Sequence, residues 1–378
     1  MLSHVEKLVA RIHESPLLVV IAAAGGGATA IAELTAAPGA SRTLLEGAVP
    51  YSAASLADWL GGPPDQACSP EAARAMAMAA FLRARRLNRS ESPIAGVACT
   101  ASLATDRPKR GEHRIHLAAQ TEAHTASWSL QLEKGRRGRP AEERLAASML
   151  LNMLAGMCGV EGEIPLELCE GERVEHSEAT APAAWQDLLM ERVDAIRHGG
   201  PEDRPQRWPP AVFPGAFNPL HVGHRRMAAI AQKLLGVAVE FEISILNVDK
   251  PPLDYLELRR RTGQFDAAQT VWLTRLATFE AKSRRFPGAT FVVGADTLRR
   301  IAEPRYYGGD ARACRAALES IAERGCRFLV FARSEKGEVV TVADLDLPAP
   351  LPAICRQVPP EQFLEDISST KLRSSGKW

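Results

Sequence analysis

The stretch that decides the fold of the C-terminal half is Ala211-Val212-Phe213-Pro214-Gly215-Ala216-Phe217-Asn218-Pro219-Leu220-His221-Val222-Gly223-His224. Its first three residues are apolar and indicate a buried strand, and the Pro-Gly and Asn-Pro pairs behind them predict a turn. Apolar residues then recur at helical spacing from Met227 up to a stop at Gly236. The pattern therefore predicts a strand, a loop and a helix, with both histidines in the first helical turn.

The two histidines of this stretch are suited to binding phosphate. His221 and His224 are three residues apart, so both rings point to one side of the helix. They lie where backbone N–H groups and the helix dipole favour an anion, and Gly223 leaves the backbone between them open. Two donors over a phosphate can stabilise charge during phosphoryl transfer. Without its context, such a pair is more typical of a surface pair or part of a metal site.

The rest of the C-terminal half predicts a sheet around this strand. Three further strands are indicated at Val239–Ile245, Thr290–Gly294 and Arg327–Phe331, and a helix is predicted over Thr270–Lys282. Strands alternating with helices are typical of an α/β fold with a Rossmann-like, doubly wound parallel sheet. Ligands of such sheets bind at the carboxyl ends of the strands.

The N-terminal half predicts a second α/β domain. A strand at Leu17–Ile21 leads into Gly25-Gly26-Gly27, and Ser69-Pro70 marks the start of a helix that runs to Leu87. Further strands are expected at Ile94–Thr100, Arg114–Gln120 and Ala126–Leu132, followed by a helix over 140–157. The three glycines resemble a phosphate loop only weakly, because no Lys-Ser/Thr pair follows them.

Between the two halves the composition changes. Residues 159–184 are polar and show no clear period, and a short amphipathic helix is predicted over Trp185–Arg197. His198–Pro205 is then rich in turn formers and charge, which is typical of a linker. We therefore predict a domain over 1–160, a linker with a short helix over 161–208, and a domain over 209–378.

Composition narrows the class of protein. The chain has 378 residues, with 46 Lys+Arg against 45 Asp+Glu, and this balance argues against nucleic acid or an anionic membrane as the main partner. Seven scattered cysteines without a Cys-x-x-Cys pair argue against a structural metal or a disulfide framework. We expect a cytoplasmic protein without a bound metal of its own.

The C-terminal half resembles the nucleotidyltransferase superfamily with the His-x-Gly-His signature, and within it the nicotinate/nicotinamide-mononucleotide adenylyltransferases. The resemblance rests on the quoted stretch and on Ile367-Ser368-Ser369-Thr370-Lys371-Leu372-Arg373. Val293-Gly294-Ala295-Asp296 is similar to the family's strand-end segment, and Lys250 stands where the family often has a phosphate-binding lysine. The resemblance implies His221, His224 and Arg373 as catalytic residues. It implies the following nucleotide-binding residues: Gly215, Ala216, Phe217, Asn218, Gly223, Lys250, Gly294, Asp296, Ser368, Ser369 and Thr370.

The implied reaction is attack by a mononucleotide phosphate on the α-phosphorus of ATP, with Mg²⁺ on the triphosphate and pyrophosphate as a product. A pyridine mononucleotide is the expected acceptor. Pantetheine phosphate, another phosphorylated acceptor and a non-catalytic nucleotide sensor stay open as alternatives, partly because only five residues follow Arg373. We also expect a homo-oligomer.

The N-terminal half resembles the competence-damage-inducible protein C-terminal family, which are nicotinamide-mononucleotide deamidases. The likeness lies in Leu34–Ser41, Glu46–Ser52, Ser69–Ala73 and Gly96–Ala101, where Tyr51 and Thr100 match family site residues. Ala23 stands where the family has its serine nucleophile, so acyl-enzyme chemistry is not expected. Either a mononucleotide-binding or oligomerising pseudoenzyme or a purely structural domain fits this half.

Overall fold

The computed structural model describes residues 3–106, 110–200, 209–246, 251–335, 338–363 and Leu372. Contacts divide these residues into two compact units. The first contains the described part of Met1–Met190 together with that of Asp249–Leu258, and the second contains the described part of Glu191–Val248 and Arg259–Trp378. Each unit has its own mixed α/β architecture, which confirms the predicted fold class.

The first unit is a six-stranded sheet with helices on both faces. Its sheet has the order β2-β1-β3-β4-β5-β6, in which β1, β2 and β3 are parallel and β4, β5 and β6 follow in antiparallel pairs. The strands are β1 Leu18–Ala24, β2 Leu44–Ala48, β3 Ile94–Ser102, β4 His113–Gln120, β5 His124–Leu132 and β6 Glu175–Thr180. The helices are α1 His4–Ile12, α2 Thr29–Ala36, α3 Ala53–Leu60, α4 Pro70–Leu87, α5 Arg139–Met157 and α6 Ala183–Leu189, and Ala40–Arg42 forms a 3-10 turn.

Local sequence explains the start of the longest helix on one face of this sheet. Ser69 precedes α4 with extended backbone angles, and its hydroxyl accepts a hydrogen bond from the backbone N–H of Ala72. Pro70 then occupies the first turn, where a missing N–H costs nothing. Both features confirm the predicted helix start.

The second unit is built on a seven-stranded sheet of order β15-β12-β11-β8-β9-β10-β7. All neighbours are parallel except β7, which runs antiparallel to β10 at one edge. The sheet strands are β7 Ala195–His198, β8 Ala211–Pro214, β9 Val239–Ser244, β10 Val271–Thr274, β11 Thr290–Gly294, β12 Arg327–Phe331 and β15 Cys355–Gln357, and β13 Arg333–Glu335 pairs with β14 Glu338–Val340. The helices are α7 Val222–Leu235, α9 Phe279–Arg285, α10 Ala295–Ile301 and α11 Ala311–Glu323, with 3-10 turns at Pro304–Tyr307, Val342–Asp344 and Leu351–Ile354. The division between the two units falls within helix α8, Tyr255–Thr262.

The strand order of the second sheet determines where a ligand can bind. The chain passes from β8 to β9 and β10 on one side, and later from β11 to β12 on the other side. The carboxyl ends of β8 and β11 therefore border the position where the winding reverses, which is the usual ligand position in doubly wound sheets. This confirms the predicted Rossmann-like arrangement.

Two helix predictions are wrong in part. The helix predicted over Thr270–Lys282 is a four-residue strand, β10, followed by the short helix α9. The helix predicted over Trp185–Arg197 ends at Leu189, and β7 follows it. In both places a four-residue segment pairs with another strand of the sheet, and the spacing of apolar residues in the sequence does not reveal such pairing.

The region predicted as a linker, residues 161–208, contributes a strand to each sheet. β6 completes the first sheet against β5, although its sequence is mostly exposed and polar. β7 belongs to the second sheet, and residues 201–208 lie outside the described part of the chain. No helix in the described residues is apolar and long enough to cross a bilayer.

A buried ion pair joins strand β9 to helix α9 in the second unit. Lys282 Nζ lies 2.7 and 2.8 Å from the two carboxylate oxygens of Glu242 and also donates to the carbonyl of Leu276. The Thr274 hydroxyl donates to the same carboxylate at 2.5 Å. Glu242 is fully buried and Lys282 nearly so. Such a pair costs little as a whole, but removing one partner leaves an uncompensated buried charge.

We therefore expect Lys282→Met to destabilise the second unit by about 3–5 kcal/mol, and the double variant Glu242→Met/Lys282→Met to recover most of that loss. Hydrogen exchange of the β9 amides measures the free energy of opening. Arg284→Met is the matched control, because Arg284 makes an exposed 2.7 Å pair with Glu280 on the same helix, and such pairs contribute at most about 1 kcal/mol. Equal losses in the Lys282 and Arg284 variants would contradict this account.

Candidate functional site

The loop between β8 and α7 is anchored from inside by an aromatic ring. Phe217 has a left-handed backbone with φ +43° and is 1% exposed. Its ring lies edge-on to Phe213 at 5.4 Å and to Phe241 at 5.4 Å, and 5.1 Å from the ring of His224. A Cβ on Gly215 would lie 2.6 Å from the Phe217 ring, so a glycine is required there. Among the predicted nucleotide-binding residues, Phe217 thus supports the loop from below with its side chain.

The histidine pair lies at the start of α7, as predicted. His221 is the N-cap residue and His224 occupies the third helical position. Their rings stack with centroids 3.7 Å apart and an angle of 24° between planes. Gly223 between them is buried. The sequence-derived arrangement of two rings on one side of the helix is therefore present.

The protonation state of His224 follows from its surroundings. Burial, the neighbouring His221 and the positive charge of Arg333 lower the pKa of His224 to about 3. The backbone N–H of His221 donates to His224 Nδ1 at 3.3 Å. Because a backbone N–H can only donate, Nδ1 must be the unprotonated nitrogen. Near neutral pH the ring is therefore neutral and carries its hydrogen on Nε2, which makes Nε2–H a hydrogen-bond donor.

Three side chains that sequence reasoning missed hold the loop from outside. Arg260 Nη2 donates to Asn218 Oδ1 at 2.5 Å, and Arg261 Nη1 donates to the carbonyl of Ala216 at 3.0 Å. Gln264 contacts the backbone of Phe217 and Leu220. For the two arginines, the sequence offers only a run of three arginines at the end of α8, a pattern that is typical of an exposed basic turn. Gln264 has no such signal.

The second strand end of the site comes from β11. Gly294 ends this strand, and Asp296 in the first turn of α10 pairs with Arg333 Nε at 3.2 Å. A Cβ on Gly294 would lie 2.4 Å from the Asp296 carboxylate, so the pair depends on this glycine. Arg333 follows β12 and is near enough to depress the pKa of His224. The sheet thus brings His224, Asp296 and Arg333 to one edge, and Arg333 is a site residue that the sequence analysis did not identify.

Five predicted site residues lie outside the described residues: Lys250, Ser368, Ser369, Thr370 and Arg373. Phe363 ends the described range 338–363, and its buried ring packs against Phe331 with centroids 5.2 Å apart. The Arg226 guanidinium lies 5.9 Å from the centre of the Phe363 ring. Arg226 is two residues after His224, so Phe363 is held next to the histidine helix.

In the described part of the chain, no group of three or more His, Cys, Asp or Glu side chains is placed to hold a metal ion. The carboxylate at the site edge, Asp296, is engaged with Arg333. Arg333 contributes positive charge at this edge, and its guanidinium carries that charge at any physiological pH.

The glycine loop of the first unit is occupied by a side chain of the same unit. The Glu143 carboxylate accepts from the backbone N–H of Gly27 at 2.9 Å and from the backbone and hydroxyl of Thr29 at 3.1 and 3.2 Å. Helix α2 has no capping side chain of its own at Ala28, so Glu143 serves as its cap. The backbone donors that a phosphate would use are thus engaged by a carboxylate.

The three residues singled out from the deamidase resemblance lie on three different segments of the first unit, namely β1, β3 and the loop between β2 and α3. Ala23 is buried in β1. Thr100 is paired in register with Ala24, and its hydroxyl donates to the carbonyl of Ala67 at 2.8 Å. Tyr51 is 66% exposed. A hydroxyl nucleophile is absent at position 23, as the sequence indicates.

We expect the imidazole nitrogen resonances of His224 to report a neutral ring with hydrogen on Nε2 from pH 8 down to pH 5, with a titration midpoint of about 3. Unfolded His224 takes up its proton near pH 6.5. The stability contributed by its neutral form is therefore present above pH 6.5 and is lost as the pH falls towards 3. ¹⁵N-histidine NMR with His224→Asn for assignment measures this, and a midpoint near 6.5 would contradict the burial argument.

Comparison with known protein families finds a match within the C-terminal half of the chain. Residues 212–375 match the family model described as cytidylyltransferase-like. The match covers both the histidine motif and the Ser-Ser-Thr segment and supports a nucleotidyltransferase. No curated protein matches the chain.

Several solved structures match about two fifths of the chain. The competence/damage inducible protein CihA from Agrobacterium tumefaciens is 23% identical over 42% of this chain and 97% of its own, with a TM-score of 0.35. A competence-damaged protein (CinA) superfamily protein from Escherichia coli is 17% identical over 41% of this chain and 88% of its own, with a TM-score of 0.31. A protein of the same superfamily from Klebsiella pneumoniae is 14% identical over 41% and 98%, with a TM-score of 0.33.

Proposed function

We propose that the second unit is an ATP-dependent adenylyltransferase that joins the adenylyl group of ATP to the phosphate of a mononucleotide and releases pyrophosphate. The observation that carries this proposal is the neutral His224, whose Nε2–H is a donor at the helix start beside β8. A neutral donor can approach a polyphosphate and stabilise the charge that develops on it, without a proton having to be moved.

The reaction needs no nucleophile from the protein. An oxygen of the acceptor phosphate attacks the α-phosphorus of ATP, a new P–O bond forms, and the bond to the β-phosphate breaks. Pyrophosphate leaves with the bonding electron pair, so charge moves onto the leaving group. Mg²⁺ arrives with ATP as part of the substrate and screens this charge. The protein contributes orientation and hydrogen-bond donors.

Each described residue has a role in this scheme. His221 and His224 donate to phosphate oxygens of ATP at the positive end of α7. Arg333 adds a fixed positive charge beside them and pairs with Asp296, which we expect to accept from a hydroxyl of the bound nucleotide. Phe217 and the contacts around it keep the two rings in place.

Further contacts to the triphosphate are expected from the Ser-Ser-Thr segment, on the basis of its sequence. We expect Ser368, Ser369 and Thr370 to donate to the triphosphate, Arg373 to pair with it, and Lys250 to bind phosphate. Phe363 supports this, because it holds the chain beside α7 five residues before Ser368. Since five extended residues span at most about 18 Å, Ser368 must lie within that distance of Phe363.

A pyridine mononucleotide is the acceptor that we propose. Its support is the sequence resemblance of both halves to enzymes that handle this nucleotide, one of which adenylylates it. Pantetheine phosphate is the second candidate, favoured only by the generality of the histidine motif. The charge of any acceptor phosphate is matched by Arg333.

We expect the purified chain to release pyrophosphate from Mg·ATP when nicotinate or nicotinamide mononucleotide is supplied, and His224→Ala to lower kcat about 100- to 1000-fold while the fold is retained. A coupled pyrophosphate assay measures both. His198→Ala on the edge strand β7 is the control and should keep full activity. Full activity in His224→Ala would remove this ring from the mechanism, and release only with pantetheine phosphate would reassign the acceptor.

For the first unit we propose a domain without deamidase chemistry that binds a mononucleotide or mediates oligomerisation. The support for the lack of deamidase chemistry is Ala23, which stands in place of a nucleophile. We expect no ammonia release from nicotinamide mononucleotide by the wild-type chain in a glutamate dehydrogenase-coupled assay. If purified wild-type protein, free of contaminating enzyme, did release ammonia, and Ala23→Gly released as much, this unit would contain a nucleophile at another position.

A further inference from the structure

The turn that leads into the histidine pair is closed by one side chain. The carboxamide of Gln264 donates from Nε2 to the carbonyl of Phe217 at 2.9 Å and to that of Arg261 at 3.2 Å. Its Oε1 accepts from the backbone N–H of Leu220 at 2.8 Å. Both ends of the four-residue turn 217–220 are therefore bound to the same amide group.

The turn needs such an external partner. Phe217 has a left-handed backbone conformation that side chains other than glycine rarely adopt. Pro219 has no N–H to offer. The carbonyl of Phe217 and the N–H of Leu220 therefore form their hydrogen bonds with a side chain. The amide of Gln264 supplies both a donor and an acceptor for them.

Gln264 is itself held on both sides. Its backbone N–H donates to the carbonyl of Arg261 at 3.3 Å, and its own carbonyl accepts from Arg225 Nη2 at 3.0 Å. The next residue, Phe265, packs its ring against Phe217 with centroids 5.5 Å apart. The amide is therefore fixed relative to the turn and to Arg225, the residue that follows His224.

The position of Leu220 fixes the histidines. Leu220 directly precedes His221, whose backbone N–H in turn donates to His224 Nδ1. A rotation of the turn would move the His221 N–H away from His224 Nδ1. The His224 ring could then carry its hydrogen on either nitrogen. Gln264 thus controls which nitrogen of His224 can donate to a phosphate.

From these contacts we infer that Gln264 is a positioning residue of the transferase site, which sets the tautomer and direction of His224 through the turn 217–220. Its effect on turnover rests on the proposed function, whereas its effect on the His224 ring does not. The inference therefore has one readout that requires catalysis and one that does not.

The test compares two substitutions with a matched control. Gln264→Met keeps the length of the side chain and removes all three hydrogen bonds. Gln264→Glu retains an oxygen for the Leu220 N–H but loses both donors. Gln269→Met is the control, because Gln269 makes a hydrogen bond of the same kind outside the turn 217–220. Its Oε1 accepts from the backbone N–H of Asp266 at 2.9 Å.

We expect Gln264→Met to lower kcat about 100-fold, the loss typical of a misplaced catalytic group, with little change in KM for either substrate. In ¹⁵N-histidine NMR without substrates, its His224 ring should lose the single Nε2–H form and titrate closer to pH 6.5. Gln264→Glu should fall between Gln264→Met and wild type in both measurements, and Gln269→Met should match wild type.

Two outcomes would overturn the inference. The first is a Gln264→Met chain with wild-type His224 resonances, whether or not its turnover falls, because the ring would then be placed without the amide. The second is equal loss in Gln264→Met and Gln269→Met, which indicates a general effect on stability. If the wild type releases no pyrophosphate with any acceptor, the proposed function fails and the NMR comparison alone decides. Should Gln264→Met not fold, Gln264→Glu carries the same comparison.

Discussion

The second unit depends on burying one aromatic ring at the point where the chain leaves its sheet. Phe217 is turned inward by a left-handed backbone and lies among Phe213, Phe241 and Phe265. Burial of a ring of this size stabilises the fold by about 1.5–3 kcal/mol, which can offset the cost of the backbone conformation. With Phe217 inside, the chain turns through residues 218–220, and α7 begins directly after His221.

The electrostatics of the site follow from the same packing. His224 rests on Phe217 with ring centroids 5.1 Å apart, and this apolar support is part of the burial that keeps the imidazole neutral. Arg333 reinforces the effect, because a fixed positive charge disfavours a second one nearby. The site therefore combines a neutral donor, His224, with the permanent charge of Arg333, whereas the buried Glu242 of the adjacent strand is neutralised by Lys282.

Sequence patterns could predict the elements whose signals are local. The strand β8, the helix α7 with its stop at Gly236, and the start of α4 at Ser69 are each encoded by neighbouring residues, and all are confirmed. β7 and β10 were not predicted, because each overlaps a longer segment whose residue spacing also fits a helix. Gln264 and Arg333 escaped for a different reason: their partners are distant in sequence, and neither belongs to a motif.

The two units use the start of a helix in opposite ways. In the first unit the donors at the start of α2 are bound by Glu143, so a negative charge from the protein already complements the helix dipole. At α7 the corresponding position carries two imidazoles, which add donors instead of a negative charge. An incoming phosphate would have to displace a carboxylate at α2, and would meet the neutral His224 ring and Arg333 at α7. Because displacement of a bound carboxylate costs free energy that the second site does not require, phosphate chemistry is favoured in the second unit.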